Sequence, residues 1–202
     1  MGIPIVACDV DDVLADWARG LHQVACEILG VTVPLFEDCH RLDFSLNFGV
    51  TRKIILEIAQ ETNLRYPILD LPYVEGAREA LESLEGRFEL ALVTGRPDEQ
   101  YEETLAWAQK RVPGARVYLS GGKGNPYAAN EGRDSKEEIA CRLGAICLID
   151  DNVGEFLGWD WSCSILPVCF AQPWNQSVPP NVIRCNWQQI TRLLTSRLTG
   201  RP

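Results

Sequence analysis

The sequence has no long hydrophobic run. No segment approaches the roughly 20 apolar residues that a membrane-spanning helix needs, so no membrane partner is expected. Positive charge is scarce: 19 Lys and Arg against 28 Asp and Glu leave a net charge of −9. That balance argues against a grip on a nucleic-acid polymer, which needs clustered Lys and Arg. Histidine is scarcer still, with only His22 and His40, and no pair among the eight cysteines has Cys-x-x-Cys spacing. A zinc site is therefore not expected. The N-terminus lacks the basic region and long apolar stretch of a secretory signal, from which a cytoplasmic location is expected. In that setting Cys8, Cys26, Cys39, Cys141, Cys147, Cys163, Cys169 and Cys185 read as buried reduced thiols rather than a disulfide framework. Internal repeats and low-complexity segments are lacking too.

What is present is an ordinary globular balance, 46% hydrophobic and 23% charged over 202 residues. That length suits one domain with an insertion. The chain is organised around Cys8-Asp9-Val10-Asp11-Asp12-Val13-Leu14-Ala15-Asp16. The carboxylates follow the apolar run Ile3, Pro4, Ile5, Val6, Ala7, Cys8, which reads as a strand buried on both faces. Ligands bind at the carboxyl ends of such strands in parallel sheets. Carboxylates crowded there are costly unless a cation or a proton is shared among them. The first implication is a divalent-metal site, with Mg²⁺ the cation suited to carboxylate oxygens.

Helical spacing follows over residues 17–29 through Trp17, Leu21, Val24, Ala25 and Ile28, with Gly30 at its end. Residues 31–50 read as irregular. Thr51 is placed to cap a helix over 52–63. No strand is expected across residues 17–73, which read as a mostly helical insertion. The remainder alternates: a helix over 75–84, a strand over 88–93, a helix over 98–111 capped by Asp98, and a strand over 115–119. A Gly-rich loop over 120–133 leads to a helix over 134–143, whose Asp134 and Glu137 have capping-box spacing. Strands over 145–149 and 165–170 and a helix over 187–198 close the chain. Alternation of this kind gives a parallel α/β sheet with helices on both faces.

Three of these strands end in polar or acidic residues, at Asp9-Val10-Asp11, Thr94-Gly95-Arg96 and Asp150-Asp151. Parallel strands bring those ends to one edge of the sheet. Lys136 falls in the first turn of a helix, where the backbone dipole favours an acid instead. A phosphate or carboxylate beside it would account for that. Gly121-Gly122-Lys123-Gly124 lacks the spacing and closing Lys-Ser/Thr of a P-loop and reads as a loop. Trp159, Trp161, Trp174 and Trp187 read as packing residues, and neither His40 nor Arg41 carries a definite role.

Asp9-Val10-Asp11-Asp12-Val13-Leu14-Ala15-Asp16 resembles the first motif of the haloacid dehalogenase superfamily, Asp-x-Asp-Gly-Thr/Val-Leu. Thr94-Gly95-Arg96, Lys136 and Asp150-Asp151 resemble its second, third and fourth motifs, in the same order along the chain. Asp12 stands where the motif has Gly. The resemblance implies a Rossmann-like α/β core over residues 1–16 and 74–202 and a small helical cap over 17–73. It also implies a Mg²⁺-dependent phosphatase of a small phosphorylated metabolite. In that reading Asp9 is the nucleophile, Asp11 the general acid and base, and Thr94, Gly95 and Lys136 bind the phosphate. Metal ligands would be Asp9, the Asp11 carbonyl and the Asp150-Asp151 pair. Asp151 fits the direct-ligand position better than Asp150, and Lys123 competes with Lys136 as the motif lysine. Leu14-Ala15-Asp16 and Leu148-Ile149-Asp150-Asp151 are further similar to the 5′(3′)-deoxyribonucleotidases. A phosphomutase of the same superfamily and a non-catalytic binding protein on the same fold are the alternatives. Neither Asp12 nor Asp16 has a catalytic role in this reading; Asp16 is expected to start the helix at Trp17. Substrate identity and oligomeric state are left open.

Overall fold

The structure, a computed structural model, describes residues 2–121, 123, 132–160 and 162–199. Its centre is β1, Ile5–Cys8. The apolar run begins at Ile3, but Ile3 is 56% exposed and lies outside the sheet. From Val6 to Cys8 the strand is fully buried. Around it stand β2 (Glu89–Thr94), β3 (Arg116–Leu119), β4 (Cys147–Asp150), β5 (Leu166–Phe170) and β6 (Ile183–Cys185). They form one sheet in the order β3-β2-β1-β4-β5-β6, every pairing parallel. This is the expected α/β parallel architecture. The edge strand β6 was not foreseen, because three residues are too few to carry a period.

The helices are α1 (Ala18–Leu29), α2 (Phe44–Phe48), α3 (Arg52–Arg65), α4 (Ala77–Leu84), α5 (Tyr101–Arg111), α6 (Lys136–Leu143) and α7 (Trp187–Thr199). Successive side chains of a strand point to opposite faces, and the core divides accordingly. Val6, Cys8, Leu92 and Ile149 meet Ala77, Trp107, Trp187 and Ile190 from α4, α5 and α7. Ala7, Val93, Leu148 and Cys169 meet Ile139 and Ala140 of α6, with Phe156 and Trp159. A further cluster forms among α1, α2 and α3 through Leu21, Val24, Phe44, Phe48, Ile55 and Ile58, joined by Trp174 from beyond β5.

The helical segment leaves and rejoins the sheet at one place. Asp16 N–H donates to the Pro72 carbonyl at 3.0 Å and Val74 N–H to the Leu14 carbonyl at 2.9 Å. The outgoing and returning chains are thereby stitched together. No helix among the described residues is long and apolar enough to cross a membrane.

Several local expectations shift. α2 lies within the stretch read as irregular: Asp43 accepts from Ser45 N–H at its start, and Gly49 ends it at φ 66°. Five residues are too short for helical periodicity to register. Residues 98–100 form a 3₁₀ turn that Asp98 does not cap, and α5 follows it. The capping box of α6 is Ser135 with Glu138, one residue beyond the expected Asp134 and Glu137. The thiol expectation fails for two residues: Cys141 on α6 and Cys163 before β5 are joined in a disulfide, their Cα atoms 6.8 Å apart. Twenty-two residues separate them in sequence, so only the docking of α6 beside that loop brings them together. Cys8, Cys39, Cys147, Cys169 and Cys185 are buried thiols, and Cys26 is half-buried. Trp161, Gly122 and most of the Gly-rich loop lie outside the described residues.

Candidate active site

Register explains why the acidic ends meet. Cys8 pairs with Leu92 on one side and Ile149 on the other, so Asp9, Thr94 and Asp150 emerge on the same edge. The chain goes from β1 to β2 and β3 on one side and to β4, β5 and β6 on the other. That reversal beside β1 makes a crevice outside the carboxyl ends of the strands.

Asp9, Asp150 and Asp151 are buried there, with one carboxylate oxygen of each within 4.8 Å of the others. Lys136 Nζ lies 2.7 Å from Asp9 Oδ2 and 2.6 Å from Asp150 Oδ2. It reaches them from the first residue of α6, whose capping box fixes where the helix begins. The unfavourable dipole position of Lys136 is thus offset by two buried anions. Lys123 is elsewhere: its ammonium donates to the Leu157 carbonyl, and its own carbonyl accepts from Asn152. Asp150 Oδ1 accepts from Asn152 N–H at 2.9 Å, and Asp151 Oδ2 accepts from the Trp174 indole at 2.8 Å. Trp174 is therefore more than a packing residue. The 3₁₀ turn after β4 is capped by Asn152, not by Asp150 or Asp151.

Burial pushes the Asp9 carboxyl up; Lys136 pulls it back, Asp150 and Asp11 push further, and it stands at about 7. Asp151 is raised well above the carboxylate range by burial and by repulsion from Asp150 and Asp9. Burial alone would lower the Lys136 ammonium, but Asp150 and Asp9 outweigh it and hold its pKa well above the usual value.

Asp11 is joined by Arg96 in a two-pronged ion pair. Arg96 Nε donates to Oδ2 at 2.7 Å and Nη2 donates to Oδ1. Thr94, 1% exposed, accepts from Arg96 N–H at 3.3 Å. Asp12 holds φ 59°, the only positive φ at a non-glycine among the described residues. Asp tolerates that left-handed conformation better than most residues, at the position where the motif it resembles has Gly. Its Oδ1 accepts from Ala18 N–H at 2.7 Å. Asp12 therefore serves the start of α1, and so does Asp16, which accepts from the Arg19 backbone N–H and pairs with the Arg19 guanidinium at 3.5 Å.

One acid was missed. Glu155 lies in the 3₁₀ turn beyond Asp151 and is 2% exposed. Burial pushes it up, Lys136 draws it back, Asp150 and Asp9 raise it, and it stands at about 8. Its spacing of one helical turn from Asp151 was the available signal.

Above these groups lies a cavity of about 350 Å³. Its floor includes Asp9, Asp11, Thr94, Gly95, Lys136 and Asp151, and its roof comes from the helical segment. His40 and Arg41 are not among its walls.

Solved structures with a haloacid dehalogenase-like fold superpose on this sheet and the helical segment above it. A haloacid dehalogenase-like hydrolase from Streptococcus pneumoniae superposes with a TM-score of 0.60 at 14% identity, over 95% of this chain and 98% of that one. A HAD family hydrolase from Deinococcus radiodurans, solved with bound phosphate and sodium, gives 0.60 at 15% identity over 98% of both chains. A HAD-superfamily hydrolase from Geobacter sulfurreducens gives 0.57 at 18% identity, over 95% of this chain and all of that one. No family model and no curated protein matches the sequence.

Proposed function

We propose that this protein is a Mg²⁺-dependent phosphatase that hydrolyses a small phosphomonoester through an aspartyl-phosphate. The observation that carries the reading is the buried meeting of Asp9, Asp150 and Asp151 with Lys136 under one cavity. Likeness to the hydrolases named above supports the fold on which that chemistry is built.

The donor set fits a hard divalent cation. Buried carboxylates this close repel one another, and one ammonium does not balance them. Asp9, Asp151 and the Asp11 carbonyl would hold the ion, with Asp150 kept to Lys136. When bound, Mg²⁺ would neutralise charge on the carboxylates and on the phosphoryl oxygens. The helical segment, residues 17–73, serves as the cap over residues 1–16 and 74–202.

The rest of the chemistry belongs to the chain. The Thr94 hydroxyl and Gly95 N–H hold phosphoryl oxygens, and Lys136 adds positive charge between them and Asp9. An Asp9 oxygen attacks phosphorus, and the bond from phosphorus to the alcohol oxygen breaks. Asp11 gives its proton to that oxygen. It then takes a proton from the water that attacks the aspartyl-phosphate, so that phosphate leaves and both carboxyls are restored. Asp11 is engaged by Arg96, so this role requires the fork to open, with the incoming phosphate a competing anion for the guanidinium.

The test is hydrolysis of 4-nitrophenyl phosphate and a phosphometabolite panel with Mg²⁺ and with chelator. Asp9→Asn should remain folded and lose turnover by at least about 10³-fold. Turnover that persists in chelator, or in Asp9→Asn, would overturn the assignment.

A further inference from the structure

The cavity also carries an inference about the alcohol released, which rests on the phosphatase reading. Charge is distributed unevenly around it. Its ionisable walls, Asp9, Asp11, Asp12, Arg96, Lys136 and Asp151, all come from the strand ends and their loops or from the start of α6, and none from the helical segment. The helical segment contributes the apolar Leu42, Phe44, Leu56 and Ala59, and the uncharged Trp17, Gln60 and Asn63.

The two cations on the floor are engaged. Lys136 lies between Asp9 and Asp150, and Arg96 is forked onto Asp11, from which the reacting phosphate alone draws it, so neither is left for a second anion. Among the described residues no other Lys or Arg lines the cavity. Gly122 and residues 124–131, which are not described, contain no Lys or Arg. On the roof, Trp17 Nε1 donates to Asn63 Oδ1 at 2.8 Å, which orients that amide at the rim. Gln60 stands one turn earlier on the same face of α3, as residues three apart do.

We infer that the substrate is a monophosphate of an uncharged alcohol with an apolar body and a hydrogen-bonding edge. The apolar body lies against Leu42, Phe44 and Leu56, and the edge reaches the Gln60 and Asn63 amides. A carboxylate or second phosphate within the cavity would lose its water without gaining a counter-ion, which is costly. It would also face the acids of the floor. Phosphorylated hydroxyacids and bisphosphates are thereby selected against, and an apolar group is favoured by the surface it buries.

A matched pair of substrates tests this: 4-carbamoylphenyl phosphate and 4-carboxyphenyl phosphate, which share a shape and differ in charge. The neutral ester should have the higher kcat/KM by at least about tenfold. Leu56 is 38% exposed on α3, so Leu56→Arg places a cation on the roof at a surface that can accept it. With its fold checked by circular dichroism, that variant should narrow the ratio by about tenfold. Equal or better use of the carboxylate ester by the native protein overturns the inference and leaves the phosphatase reading standing; so does an unchanged ratio in Leu56→Arg. Hydrolysis of no aryl phosphate overturns the phosphatase reading instead. Titration of both esters into Asp9→Asn, followed by the fluorescence of Trp17 against a Trp17→Phe control, then decides the cavity's preference. Tighter binding of the neutral ester sustains the inference, and equal, reversed or absent binding overturns it.

Discussion

At the scale of single residues, Asp12 combines two demands that rarely fall on one side chain. Its backbone is left-handed at φ 59°, and its carboxylate caps α1 through Ala18 N–H. Burial, then repulsion from Asp151 and Asp11, raises its pKa well above the usual range. Gly would meet the first demand and fail the second. Asn meets both and removes the repulsion. In chelator near neutral pH, Asp12→Ala should cost about 2 kcal/mol, from the lost cap and the strained backbone together. Asp12→Asn should cost nothing or stabilise. Urea unfolding of the three proteins checks this; an Asn variant as weak as the Ala variant would mean that the charge itself is needed.

Among the elements, α6 matters most for the site, because Lys136 is its first residue. Ser135 Oγ accepts from Glu138 N–H at 3.2 Å, and a Glu138 oxygen accepts from Ser135 N–H at 2.7 Å. This box sets where the helix begins and thereby where Lys136 points. Ser135→Ala should lower stability by about 1 kcal/mol, read from the urea midpoint, and Ser135→Asp should restore most of it. The sequence carries a decoy here, since Asp134 and Glu137 have the same spacing. Asp134 instead pairs with Arg142, and Glu137 accepts from Asp160 N–H at 2.6 Å. Spacing alone does not choose between two boxes one residue apart. Only one of them turns Ile139 and Ala140 toward Leu148.

For the whole molecule, the acidic crevice makes stability depend jointly on pH and cation. Asp9 stands at about 7 and Glu155 at about 8 in the folded protein, above their ordinary values of 3.8 and 4.5. The folded state therefore holds protons that the unfolded chain has already lost. Without metal, stability should fall as pH rises from about 4 to about 8, because the unfolded state binds fewer protons throughout that window. A cation that binds the ionised carboxylates in the folded state reverses this loss. The rise in Tm produced by Mg²⁺ should accordingly be small near pH 5 and grow toward about pH 8. Thermal melts with and without Mg²⁺ at several pH values check it; a shift that is flat or shrinks would contradict an ionised carboxylate site.

The sequence by itself determined the α/β class, because unbroken apolar strands and period-3.6 helices alternate along the chain. It also marked the strand ends, because acidic residues directly after buried runs stand out against the apolar core. Both are short-range signals, and hydrophobic burial converts them into one sheet in only a few ways. Tertiary structure decided the rest. Which lysine meets Asp9 depended on where α6 starts and docks, not on distance along the chain. Trp174 and Cys163 found Asp151 and Cys141 across folds of the chain that no local pattern encodes. The neutral roof of the cavity is likewise a property of which face of α3 turns inward, set by packing among α1, α2 and α3. Asp9, Asp11, Asp12 and Asp16 are alike as residues. Their environments differ because register places Asp9 under Lys136, Arg96 against Asp11, and the start of α1 over Asp12.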